Sequence, residues 1–207
     1  AVVAAPGDPE FERLINSASA KIVRSLAWSS TPFKNGIEDR YRINLHPAVV
    51  AKLKESFSCQ QLEPTSQPVL PANFSSVTYY QFQNPTSAWQ GLKTSVSSQV
   101  DALSAILFSS LLKSALLPYG INEPDKFLNL VDRPVLTARL DSDGSGSLLI
   151  AKVRDQSGMR ELLLKGMGFH VVEAKPNAET FINESDFAAS FVNNLVIIGP
   201  QPEVAGY

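Results

Sequence analysis

Apolar positions change their spacing several times along the chain, and each change predicts an element. Residues 2–5 form a short apolar run that suits a strand, broken by Pro6-Gly7-Asp8. Asp8 as N-cap with Pro9 at the first helical position starts a helix. Phe11, Leu14, Ile15, Ala18, Ile22 and Leu26 then recur at helical spacing, which predicts an amphipathic helix of about five turns. Residues 29–36 read as a loop, and residues 41–45 alternate as a short strand. Pro47 opens a second helix with Val50, Leu53 and Phe57 on one face. Residues 61–74 hold Pro64, Pro68 and Pro71 among polar residues. Proline fixes φ and removes a backbone donor, so this segment reads as a linker.

Beyond residue 74 the pattern becomes regular. Residues 77–82 predict a strand, and Asn84-Pro85 opens a helix. Trp89, Leu92, Val96, Val100, Leu103, Leu107 and Leu111 step by three and four residues, as one long helix or two end to end. Pro118-Tyr119-Gly120 ends that stretch, and a short helix follows over 123–131. Residues 135–140 and 148–153 predict strands around a polar glycine-rich turn. Asp155 caps a helix whose apolar face is Met159, Leu162 and Leu163, closed by Gly166 or Gly168. Residues 169–174 predict a strand and 176–184 a loop. Residues 187–192 and 195–198 predict two strands joined by Asn193-Asn194, a dipeptide suited to a tight hairpin turn.

From residue 75 the order is β-α-β-β-α-β followed by a β-hairpin. The expected fold is therefore α+β, with a ferredoxin-like sheet over 75–207 and an N-terminal helical segment, 1–60, packed on it. The other face of such a sheet would be free to bind or to dimerise.

Composition narrows the function. The chain has 207 residues, 44% of them hydrophobic and 18% charged, an ordinary globular balance. Its net charge of -2 supplies no basic surplus for nucleic acid. One cysteine, Cys59, excludes an intrachain disulfide framework. The longest apolar run, residues 103–117, contains Lys113 and several serines, and is short of the roughly 20 residues of a membrane span. It is expected to be a buried helix, with no transmembrane segment in this chain. The first residue is Ala and no secretory signal is visible, so the chain reads as processed or excised from a longer one.

The residues that carry chemistry are few. Asp141-Ser142-Asp143-Gly144-Ser145-Gly146 matches the first six positions of a calcium loop, with Asp141, Asp143 and Ser145 as oxygen ligands. Position twelve is Lys152 where a bidentate Glu is required, and strands flank the loop, so a solvated turn is the expectation. His170 and Glu173 are three apart on a strand and point to opposite faces. His46 precedes Pro47. No nucleophile elbow, phosphate cradle or dinucleotide loop is present, and no cofactor is expected. Arg40-Tyr41-Arg42 is the one basic-aromatic cluster. Trp28, Phe33, Trp89, Tyr79 and Tyr80 are expected to pack in the core; if Trp28 and Phe33 are instead exposed on their loop, they would with Arg40 and Arg42 make a contact for a sugar or a protein partner.

The two ends of the chain align when Pro9 is placed over Pro202. Each reads as an apolar strand, a Gly/Pro turn, Pro-Glu and a helix start. The segments Pro118-Tyr-Gly-Ile-Asn-Glu-Pro-Asp-Lys-Phe-Leu, Ala151-Lys-Val-Arg-Asp and Asn193-Asn-Leu-Val-Ile-Ile-Gly-Pro-Gln-Pro-Glu resemble a family of uncharacterised bacterial envelope proteins built from repeated α+β units behind an export signal. The resemblance covers roughly the second half of the chain. It implies an extracytoplasmic location, periplasmic or cell-envelope, and no particular activity. The resulting expectation is a non-catalytic binding or scaffolding module whose partner is a protein or polysaccharide of the envelope. The alternative is a hydrolase-like site assembled in space around His170 or His46.

Overall fold

The computed structural model describes residues 13, 16, 19–34, 36–57, 74–141, 146–175 and 178–205. The fold is α+β, and its sheets are antiparallel. The chain divides into two compact units: residues 1–56 with 91–110, and residues 57–90 with 111–207. The expected division at a linker over 61–74 places 91–110 elsewhere, and positions 61–73 lie outside the described residues. So do residues 2–5, Asp8 and Pro9.

The first unit departs most from the sequence reading. Helix persists only to residue 22. There β1 (Val23–Phe33) begins, and it pairs antiparallel with β2 (Gly36–Leu45) from Val23↔Leu45 to Phe33↔Gly36. The His46 N–H donates to the Ile22 carbonyl at 2.8 Å across the base of the hairpin. Positions 23–26 of the expected helix and 29–33 of the expected loop therefore belong to one strand, Lys34 is a turn and Gly36 begins β2. Local spacing at Ile22 and Leu26 satisfies a helix. Residues 37–45 alternate with period two, however, and they supply a ladder partner for the whole of 23–33, which local spacing cannot register.

The same unit holds α1 (Pro47–Ser56) and parts of α2 (Pro85–Ser97) and α3 (Ala102–Ser114). Proline opens α1 and α2 because the first helical N–H has no intrahelical acceptor to lose. Asn84 caps α2, its Oδ1 accepting from the Ser87 N–H at 3.1 Å. The apolar stripe across 89–117 is broken at Asp101. Its Oδ1 accepts from the Ser104 N–H at 3.0 Å and its Oδ2 from the Ser104 hydroxyl at 2.9 Å, so α3 starts afresh. The expected burial of this run fails in α3, where Leu103, Ile106 and Leu111 are exposed. Ala102–Tyr119, with mean hydropathy 1.4, has the length and composition of a short membrane span, and only 11% of it is buried.

The second unit carries a seven-stranded sheet. Its members are β3 (Ser76–Tyr80), β4 (Val131–Arg139), β5 (Ser147–Val153), β6 (His170–Lys175), β7 (Ala178–Ile182), β8 (Phe187–Val192) and β9 (Leu195–Pro200). The order across the sheet is β3-β4-β5-β9-β8-β7-β6. This is not the order of a ferredoxin-like unit, in which the first and last strands of β-α-β-β-α-β pair inside the sheet. Here β3 and β6 lie on opposite edges, and β7, β8 and β9 form a meander between β6 and β5. The cause is visible in β5, β8 and β9, whose consecutive side chains are almost all buried. Such strands need cover on both faces and therefore occupy the centre. The segment expected as a loop over 176–184 contains β7, which pairs with β6 on one side and β8 on the other.

Side chains alternate between the two faces of this sheet. Val135, Leu149, Ala151, Ala189, Phe191, Val196 and Ile198 form the main core with Phe127 and Leu128 of α4 (Pro124–Leu130) and Met159 of α5 (Gln156–Glu161). Leu162 and Leu163 join them from the π-turn Leu162–Gly166 that extends α5. Leu136, Leu148, Ile150, Ala188 and Ile197 form the second core with Val204 of α6 (Gln201–Val204). Asp155 caps α5, accepting from the Gly158 N–H at 2.9 Å. Asn193, at φ 58°, turns β8 into β9.

Candidate functional site

The β1–β2 hairpin sorts its side chains by face. On a strand, alternate residues point the same way, and cross-strand partners share a face. The register places Leu26↔Ile43, Trp28↔Tyr41, Ser30↔Asp39 and Pro32↔Ile37 on one side. The other side carries Ser25↔Asn44, Ala27↔Arg42, Ser29↔Arg40 and Thr31↔Glu38. That second side is polar and internally bonded. Asn44 Nδ2 donates to Ser25 Oγ at 2.7 Å, and the Arg40 guanidinium binds the Glu38 carboxylate through Nε at 3.0 Å and Nη2 at 3.1 Å.

The first side is apolar and open to solvent. Leu26 is 65% exposed, Trp28 62%, Ile37 69%, Tyr41 67% and Ile43 57%. Five side chains of roughly 200 Å² each, about two-thirds exposed, leave some ~650 Å² of apolar surface on one face. The largest such patch on a typical monomer is about 300–600 Å². An isolated two-stranded hairpin is also marginal in water by itself. A ribbon of this composition gains most when its apolar face is covered.

All four expected binding residues lie in the strands of this hairpin, and Trp28, Arg40 and Arg42 are exposed, so Trp28 is not a core residue. They do not form one cluster. Trp28 lies on the apolar face, and Arg40 and Arg42 lie on the polar one. Phe33 ends β1, opposite Gly36. Leu26, Ile37, Tyr41 and Ile43 were outside the expected set. Two signals point to them: the Asn35-Gly36 dipeptide, which favours a hairpin turn, and the apolar parity of Ile37, Tyr41, Ile43 and Leu45.

The remaining candidates stand apart from one another. Asp141 Oδ2 accepts from the Gly146 N–H at 2.7 Å within its own turn, while Asp143 and Ser145 lie outside the described residues. No group of three His, Cys, Asp or Glu side chains that could hold a metal ion occurs among the described residues. His46 is exposed, and its Nδ1 accepts from the Ala48 N–H at 3.4 Å at the start of α1. His170 is exposed at the start of β6, opposite Ile182. Cys59 lies outside the described residues.

An open cleft of about 460 Å³ lies in the second unit, between α4 and α5 with its π-turn. Lys126, Asn129, Glu161 and Lys165 line it with Leu130, Leu162 and Gly166. Lys126 Nζ pairs with Glu123 Oε1 at 2.8 Å, and Lys165 Nζ with Glu161 Oε1 at 2.9 Å. Each ammonium is thus matched by a carboxylate. The lining carries no serine, cysteine or histidine for nucleophilic or general-base work. Comparison with protein-family models, with curated proteins and with solved structures finds no match to this chain.

Proposed function

We propose that this chain is a non-catalytic binding or scaffolding module whose working surface is the apolar face of the β1–β2 hairpin. One observation carries the reading: Leu26, Trp28, Ile37, Tyr41 and Ile43 share one face of a two-stranded ribbon and are all exposed. Burial of apolar area is worth about 25 cal/mol per Å², so covering such a face is a driving force for association. The sequence resemblance to exported envelope proteins supports a location outside the cytoplasm, and the partner in this reading is a protein or polysaccharide of the envelope.

The two tryptophans of the chain separate the test cleanly. Trp89 donates through Nε1 to Asp125 Oδ1 at 2.9 Å and is partly buried, whereas Trp28 is exposed. The solvent-exposed fraction of the emission therefore belongs to Trp28, and the Trp28→Phe variant removes it. The wild-type chain is titrated with isolated cell-wall polysaccharide, with extracted envelope proteins, and with itself by raising its concentration. A blue shift and loss of acrylamide quenching, absent in Trp28→Phe, is the expected outcome in at least one titration. Emission that stays red and fully quenchable in all three overturns the proposal.

A further inference from the structure

Resting on that reading, we infer that the partner of the hairpin's apolar face is a second copy of this chain, packed face to face about a twofold axis.

Three features of the hairpin favour this occupant. The first is area. Two such faces would together bury about 1,300 Å², within the ~1,200–2,000 Å² of a stable protein–protein interface. The second is charge. Among the pairs from Leu26↔Ile43 to Pro32↔Ile37 on the apolar face, only Asp39, in the Ser30↔Asp39 pair, is charged at neutral pH, while Arg40, Arg42 and Glu38 all lie on the reverse. A surface with almost no charge demands no complementary pattern from its partner, and an apolar patch is self-complementary in an isologous contact. An axis near the Leu26↔Ile43 and Trp28↔Tyr41 pairs leaves Asp39 towards the rim, where water reaches it. The third is the backbone. Among the described residues the sheet has only two strands, so no further strand covers the outer N–H and C=O groups of either one. Hydrocarbon cannot satisfy those groups, which disfavours insertion of the ribbon into a membrane. Face-to-face packing, with sheets about 10 Å apart, covers the apolar side and leaves both edges in water.

The arrangement also sets a role for the reverse face. In the pair, Ser29, Thr31, Arg40 and Arg42 point outward on both sides of a four-stranded sandwich. The charged pair Arg40–Glu38 then serves solubility and not contact.

Sedimentation velocity on the full chain, from about 1 μM to about 100 μM, tests the inference. The expected result is a concentration-dependent dimer whose formation shifts Trp28 emission to the blue. Trp28→Asp and Tyr41→Asp place a charge on the apolar face and should weaken the dimer at least tenfold. Ser29→Asp, on the reverse face, should leave it unchanged. A wild-type chain that stays monomeric across the range overturns the inference, and so does a dimer that survives both apolar-face variants while folded by circular dichroism. If those variants misfold, the wild type decides alone: a dimer with blue-shifted Trp28 upholds the inference, and a dimer with unchanged Trp28 overturns it. A monomer whose Trp28 still shifts with an envelope fraction would remove the second copy and leave the binding function standing. A monomer with no shift anywhere would remove both.

Discussion

At the residue scale, Asp101 shows how one side chain divides an apolar stripe. Its carboxylate accepts from the backbone and the hydroxyl of Ser104, and Lys21 Nζ lies 3.5 Å away. The Ser104 backbone bond, then the Ser104 hydroxyl bond, with a smaller part from Lys21, lower its pKa from 3.8 to about 2. A carboxyl whose pKa is depressed on folding stabilises the fold fully above its unfolded value, and that contribution fades as pH falls towards the folded one. The cap should therefore hold α3 in place above about pH 4 and release it between about pH 4 and pH 2. Thermal melts followed by circular dichroism over that window should show part of the acid loss in the wild type. Asp101→Asn keeps an acceptor for the Ser104 N–H without the charge, and should lack that part. The effect will be modest, because an exposed carboxylate is screened by solvent.

At the element scale, close approach decides what the helices tolerate. Gly91 sits in α2 where an added Cβ would overlap the Ser56 side chain at the end of α1. Alanine is better than glycine inside a helix by about 1 kcal/mol. The overlap opposes that gain, and overpacking costs about 1–3 kcal/mol. The clash should win, so Gly91→Ala should lower stability by roughly 1 kcal/mol or leave at best no gain, read from urea unfolding. A rise of a full ~1 kcal/mol would show that Ser56 moves aside at no cost. The hairpin illustrates the same scale. Its register could be inferred from the parity of residues 37–45, but β1 was masked by a helical spacing that ran from Phe11 to Leu26. A strand of mixed Ser, Thr and Ala signals itself weakly until its partner is known.

At the scale of the molecule, the sheet of the second unit carries a buried core on each face. Phe181, on β7, is fully buried, packs edge to face on Phe191 with ring centroids 5.6 Å apart, and carries the Arg160 guanidinium over its ring at 5.9 Å. Phe181→Ala should destabilise by about 3–5 kcal/mol, the usual cost of an aromatic deleted from a core. The emission of Trp89, which packs against the same core, should report that transition at lower denaturant. A loss below ~1 kcal/mol would mean that β7 is dispensable to the sheet. Pro176 and the polar residues after it predict a loop there. The contacts that make it a strand come from β6 and β8 together.

What the sequence determined by itself is what neighbours within four positions decide. Asn84 and Asp155 accept from N–H groups three residues on, Pro47, Pro85 and Pro124 open helices, and Asn193 turns a hairpin at φ 58°. Each is a local choice between a satisfied and an unsatisfied backbone, so the residue type reveals it. Burial on both faces of β5, β8 and β9 was not legible in this way, since the expected sheet had one free face. Tertiary structure alone decided the rest. It set β9 beside β5, sent β3 and β6 to opposite edges, and left Leu103 and Ile106 of α3 in solvent. It also turned Leu26 and Trp28 from an expected helix and loop into one open face with Tyr41 and Ile43. The physical reason is that hydrophobic periodicity records which side of an element avoids water. It does not record whether the same chain, or another molecule, provides the cover.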